Sequence, residues 1–162
     1  MRILGWRSSG SIDFHTVEQR KGFTKEEIES RRMRPDATVL SYPVITSGEK
    51  RHHGSFKGLT GIDNAADPLW EFLSLEKRVN DDTPPAFLWH CFDDPEVPVE
   101  NSIYYAEALR DHNIPFELHI YPKGGHGIQL TTQRILRSRS MFPRDYNWHK
   151  MSVDWLADVF GL

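Results

Sequence analysis

The segment Ala86-Phe87-Leu88-Trp89-His90-Cys91-Phe92-Asp93-Asp94-Pro95-Glu96-Val97-Pro98 begins as an apolar run and ends in a loop of carboxylates and prolines. Its first five residues follow the turn Asn80-Asp81-Asp82-Thr83-Pro84-Pro85 and read as a buried strand. Downstream, Ile103, Ala106 and Leu109 share one stripe with Glu107, Arg110 and Asp111 outside it, which predicts a helix. Pro115 opens a further strand, in which Phe116, Leu118 and Ile120 alternate with Glu117, His119 and Tyr121. Strand, helix and strand at these distances predict right-handed crossovers and a parallel sheet, whose chemistry collects at the carboxyl ends of the strands. Asp93 and Asp94 stand just beyond one predicted strand. His126, in the loop Lys123-Gly124-Gly125-His126-Gly127, stands just beyond the next.

Working outward, Thr38-Val39-Leu40-Ser41-Tyr42 is β-branched and apolar and is closed by Pro43, so it reads as another buried strand. Residues 46–67 are rich in Gly, Ser, Asp and Asn and read as loop with room for one helical turn. Residues 68–79 carry Leu69, Phe72, Leu73 and Leu75 at helical spacing. The chain closes with a helix bearing Met151, Trp155, Leu156, Val159 and Phe160 on one face. Residues 1–34 match this pattern poorly: basic and acidic residues alternate, and Thr24 with Glu27 forms a capping box for a short exposed helix that Pro35 ends. The expected organisation is an irregular segment over 1–34 and a partial α/β domain over 35–162.

The formal charge of −3 and pI near 6.2 give no electrostatic case for nucleic acid or an anionic membrane, both of which want a basic surface. The single cysteine, Cys91, excludes an internal disulfide and a four-cysteine zinc site. The first residues lack the apolar core of a signal peptide, so a cytoplasmic protein is the expectation, with secretion of a longer parent left open.

Serine hydrolysis needs a hydroxyl to attack, an imidazole to take its proton and a carboxylate to fix the imidazole tautomer. The last two are present in the chain order Asp then His, on successive strand-to-helix loops. The run Phe87 to Ser102 resembles the acid-bearing loop of acetyl-esterase/lipase-type α/β-hydrolases, a group that includes acetylxylan esterases and is akin to the prolyl-oligopeptidase and dienelactone-hydrolase branches. Phe116 to Gly127 resembles the same family's histidine strand and loop. Arg34-Pro35-Asp36 through Tyr42-Pro43-Val44-Ile45-Thr46 resembles the strand after its nucleophile segment. The similarity runs over about residues 26–162 and implies an α/β fold: the C-terminal part of an α/β-hydrolase with the last three parallel strands and flanking helices, its earlier strands and nucleophile elbow absent. It also implies Asp94 as the acid, with Asp93 as fallback, and His126 as the base. No cofactor and no metal are implied. The implied partner is a small acylated substrate, such as an acetylated sugar.

The nucleophile of this family sits in G-x-S-x-G, and no serine here has glycine at both −2 and +2; Ser8 has Gly10 on one side but Trp6 on the other. With suitable synonymous codons, dropping one base from residues 1–9 yields Gly-Phe-Ser-Ala-Gly in the expected position. The expectation is therefore a frameshift ahead of Gly10, and loss of the neighbouring strand with an uncovered edge and apolar face. Elsewhere, His90 reads as a strand-end structural residue. His52 and His53 read as an exposed pair without a metal partner, and Trp70, Trp89 and Trp155 as core. Three functions fit: an ester hydrolase by descent, a non-catalytic remnant, and a peptidase.

Overall fold

The computed structural model of the chain describes residues 3–5, 35–127 and 147–162. Among the described residues the sheet has four parallel strands in sequence order: β1 (Ile3–Gly5), β2 (Ala37–Ser41), β3 (Ala86–Cys91) and β4 (Phe116–Tyr121). Leu40 pairs with Leu88, and Leu88 with Leu118. The described helices are α1 (His53–Thr60), α2 (Pro68–Phe72), α3 (Glu100–Asp111) and α4 (Trp148–Phe160), with a 3-10 turn at Leu75–Lys77. None of them is long and apolar enough to cross a membrane.

All six residues of β3 are buried. Phe87, Trp89 and Cys91 pack on one face against Trp155, Trp148 and Met151 of α4. Ala86 and Leu88 pack on the other face with Leu109 and Ala108 of α3. A strand covered on both sides has no solvent face to make polar, so its sequence is a continuous apolar run. Trp89 binds the layers together. Its ring stacks on Trp148 at 4.8 Å, and its buried indole N–H donates to Ser41 Oγ at 2.7 Å. β4 lies at the edge of the described sheet and is partly exposed along its length, with Phe116 and Ile120, expected on the core side, its most exposed residues.

Three expectations are corrected. Residues 46–67 hold the two-turn helix α1, despite Gly54 and Gly58, because tertiary contact outweighs the propensity cost. Phe56 is buried against Trp70, His52 accepts from Ser55 N at the N-terminus, and Gly61 closes the helix in the left-handed conformation at φ 72°. The helix expected over residues 68–79 stops at Phe72. Leu75 N donates to Ile45 O at 3.0 Å and buried Ser74 Oγ accepts from Ser47 N at 2.8 Å, and these long-range bonds replace the next helical turn. Finally, the edge of β2 expected to be uncovered is paired over its first three residues, Ala37, Thr38 and Val39, with Ile3, Leu4 and Gly5 of β1. The expected capping box at Thr24 and Glu27, and Ser8, lie outside the described residues.

Candidate active site

The strands β2, β3 and β4 run parallel, so their carboxyl ends open onto one rim of the sheet. After β3 the chain folds into an Asx turn, with Asp94 Oδ1 accepting from the backbone N–H of Glu96 and of Val97, each at 2.9 Å. This turn fixes the carboxylate plane. The other oxygen, Oδ2, lies 2.8 Å from His126 Nδ1 and 3.3 Å from His90 Nε2. The Asp94 side chain has no solvent exposure and that of His126 is 12% exposed, so the pair is shielded on the acid side and reachable on the base side.

His126 reaches this position because the loop around it bends where a side chain would be strained. Gly125 and Gly127 have φ values of 61° and 75°, a region glycine enters without steric cost. Gly125 N donates to Asp93 Oδ1 at 2.9 Å. The two adjacent aspartates thus divide the work: Asp94 holds the imidazole and Asp93 holds the backbone of the loop that carries it. From the end of β2, Tyr42 sets its ring edge-on to His126 at a centroid distance of 4.8 Å and to Trp89 at 5.0 Å. Its φ of 39° is unusual for a residue with a side chain, and such strain persists only where surrounding packing holds it. The far nitrogen of His126, Nε2, points away from Asp94, with the exposed carboxylate of Glu96 3.9 Å off.

Burial by itself would raise the pKa of Asp94. The hydrogen bonds from His90, Val97 N, His126 and Glu96 N outweigh it and bring the group from 3.8 down to about 2. The folded value lies below the unfolded one, so the carboxylate's contribution to stability is complete above about pH 4 and is lost as pH falls through about 2, an effect of about 2 kcal/mol. Circular dichroism followed from pH 5 to pH 1.5 should show this acid-dependent loss in the native chain and a shallower one in Asp94→Asn; identical slopes would contradict the assignment. Cys91, on the same strand end, is shifted the other way. Burial first, then the charges of Asp93 and Asp94, push its thiol up to about 12, so it stays protonated and is a poor nucleophile.

The structure therefore brings Asp94 and His126 into direct contact and sets Asp93 one step aside. His90, read from the sequence as structural, touches the acid. Tyr42 and Glu96 were not singled out, although a Tyr-Pro pair at the end of a strand beside the acid strand was a usable signal. Trp70, Trp89 and Trp155 are buried in the core. His52 caps α1, and His53 pairs with Asp63 at 2.6 Å. Among the described residues no three His, Cys, Asp or Glu side chains converge as a metal site.

The prolyl oligopeptidase family matches residues 55–159, a span that includes Asp94 and His126. Over 102 residues the chain is 48% identical to endo-1,4-β-xylanase B of Butyrivibrio fibrisolvens, covering 63% of this chain and 16% of that protein. Over 104 residues it is 36% identical to acetylxylan esterase of Xylanibacter ruminicola, covering 62% of this chain and 22% of that protein. Among solved structures, an acetyl ester-xyloside bifunctional hydrolase from Caldicellulosiruptor lactoaceticus superposes with a TM-score of 0.67 at 38% identity, covering 94% of this chain and 49% of that one. The chain spans about half the length of the solved relative and less than a quarter of the curated ones. Its parallel sheet and flanking helices form the C-terminal part of an α/β-hydrolase fold.

Proposed function

Because the chain belongs to the prolyl oligopeptidase family, we propose that Asp94 and His126 are the acid and base of a serine-type carboxylic ester hydrolase acting on small acylated carbohydrates. The observation that carries this reading is the 2.8 Å contact between His126 Nδ1 and Asp94 Oδ2 at the carboxyl rim of the sheet. With Asp94 ionised, Nδ1 keeps its hydrogen and Nε2 is left as the acceptor. A serine hydroxyl placed at Nε2 loses its proton there as it attacks the acyl carbonyl. The imidazolium so formed is stabilised by the carboxylate behind it and returns the proton to the leaving alcohol. The carbohydrate substrate class is proposed from the relatives, one of them named a xylanase, one an acetylxylan esterase and one an acetyl ester-xyloside hydrolase.

No serine of the sequence stands in G-x-S-x-G, which favours a second reading, a chain without turnover of its own. Initial rates of p-nitrophenyl acetate hydrolysis separate the two. Turnover that disappears in His126→Ala supports catalysis by this chain. Rates at the buffer level in both proteins support the inactive reading. A proline-containing peptide anilide in the same assay tests the peptidase reading; cleavage of the anilide with no cleavage of the acetate would overturn the ester proposal.

A further inference from the structure

Behind the Asp94 carboxylate lies a second histidine for which a three-residue relay has no use. His90 is in β3, four residues before Asp94, and has no solvent exposure. Its Nε2 is 2.9 Å from the carbonyl oxygen of Val97 and 3.3 Å from Asp94 Oδ2. Its Nδ1 is 2.7 Å from Ser102 Oγ, on a fully buried residue in the first turn of α3. A carbonyl only accepts, so Nε2 carries a hydrogen, and in the neutral ring Nδ1 accepts from the Ser102 hydroxyl. Both ring nitrogens are thereby committed, and the ring cannot flip without losing both partners. The donors around Asp94 then form a closed set. Two backbone N–H groups hold Oδ1, His126 Nδ1 binds Oδ2, and His90 Nε2, whose N–H donates to Val97 O, lies 3.3 Å from the same oxygen.

We propose that His90 is a positioning residue of this site: clamped by Ser102 and Val97, its N–H aims Oδ2 of Asp94 at His126 Nδ1 and shares that oxygen with it. A ring required only to fill the strand end would not need its N–H within 3.3 Å of the acid. The sharing has a chemical consequence. An oxygen that already accepts one N–H is a weaker base toward the second, so Asp94 orients the imidazolium without drawing its proton away. The lowered pKa of Asp94, to which the His90 bond is the largest lowering contribution, agrees with this. The other titratable groups around the carboxylate are His126 from the histidine loop, Cys91 from the end of β3, and Asp93 and Glu96 from its own loop.

The inference rests on reading Asp94 and His126 as acid and base, but its test needs no turnover. Two NMR signals of the full chain are followed: the carboxyl 13C shift of Asp94 against pH, and the low-field Nδ1–H proton of His126. His90→Phe keeps a flat ring without a donor, and His90→Gln restores an N–H. In His90→Phe the Asp94 midpoint should rise from about 2 by about one unit, and the His126 proton should move downfield as its oxygen is no longer shared. His90→Gln should return both signals toward the native values. Should His90→Phe fail to fold, Ser102→Ala replaces it: the freed ring should shift both signals in the same directions by less. Unmoved signals in the donor-lacking variant, or a Gln variant indistinguishable from it, would overturn the role given to His90. A native chain with no low-field His126 proton would instead overturn the acid–base reading, and the inference would fall with it.

Discussion

Asparagine at position 94 is expected to reduce kcat for p-nitrophenyl acetate by about four orders of magnitude in the chain joined behind a Gly-Phe-Ser-Ala-Gly turn, measured at neutral pH on protein with native circular dichroism. The reason is the tautomer. The carboxylate accepts from His126 Nδ1 at 2.8 Å and so keeps Nε2 free to take a proton. An amide can turn its own N–H toward Nδ1, which places the hydrogen on Nε2 and leaves the base without a lone pair for the serine. Asp93→Asn is the control. Asp93 accepts only from Gly125 N among the described contacts, and its amide still presents an oxygen there, so kcat should fall by less than about tenfold. A large loss in Asp93→Asn with a small one in Asp94→Asn would move the acid by one residue.

The second large effect is on stability. Asn101 is fully buried in α3, and its amide makes four hydrogen bonds. Oδ1 accepts from Ile45 N at 2.9 Å and Thr46 N at 3.0 Å. Nδ2 donates to Lys50 O at 2.8 Å and Pro98 O at 2.9 Å. Only one orientation of the amide satisfies all four partners. The residue ties the loop after β2, which begins with Tyr42, to the helix that follows the acid loop. Asn101→Ala strands the N–H groups of Ile45 and Thr46 and the carbonyl of Lys50, at roughly 1–3 kcal/mol each before relaxation, while Pro98 O keeps the backbone N–H of residue 101. Neighbouring losses do not simply add, so the expected destabilisation is about 3–5 kcal/mol, read as a lower urea midpoint. That is a large share of the stability of a domain this size. A change under about 1 kcal/mol would mean that the freed groups find other partners.

Much of the fold was legible along the chain because burial writes itself into composition. β3 is covered on both faces, and Ala86 to Cys91 carries no exposed position, so the strand could be recognised without neighbours. β4 is at the edge, and its alternating residues declared a strand of a different kind. α4 showed its face through Met151, Trp155 and Val159, which pack on Phe87 and Trp89. The elements that were misread are those held by distant partners. α1 contains two glycines and little local preference for a helix, and it stands because Phe56 and His53 reach Trp70. The early end of α2 depends on Ile45 and Ser47, which nothing near Leu75 announces.

The candidate site divides in the same way. Sequence by itself determined that an aspartate loop and a glycine-flanked histidine follow successive parallel strands, because chain order and periodicity suffice to put both at one end of a sheet. Only the tertiary structure decided that Asp94 meets the imidazole while Asp93 takes Gly125 N, that His90 and Ser102 stand behind the acid, and that Tyr42 leans on the base. Which of two adjacent carboxylates faces a ring 32 residues away depends on how the Asx turn at Glu96 and Val97 rotates the loop. That rotation is set by hydrogen-bond angles in three dimensions, which the order of residues alone does not record.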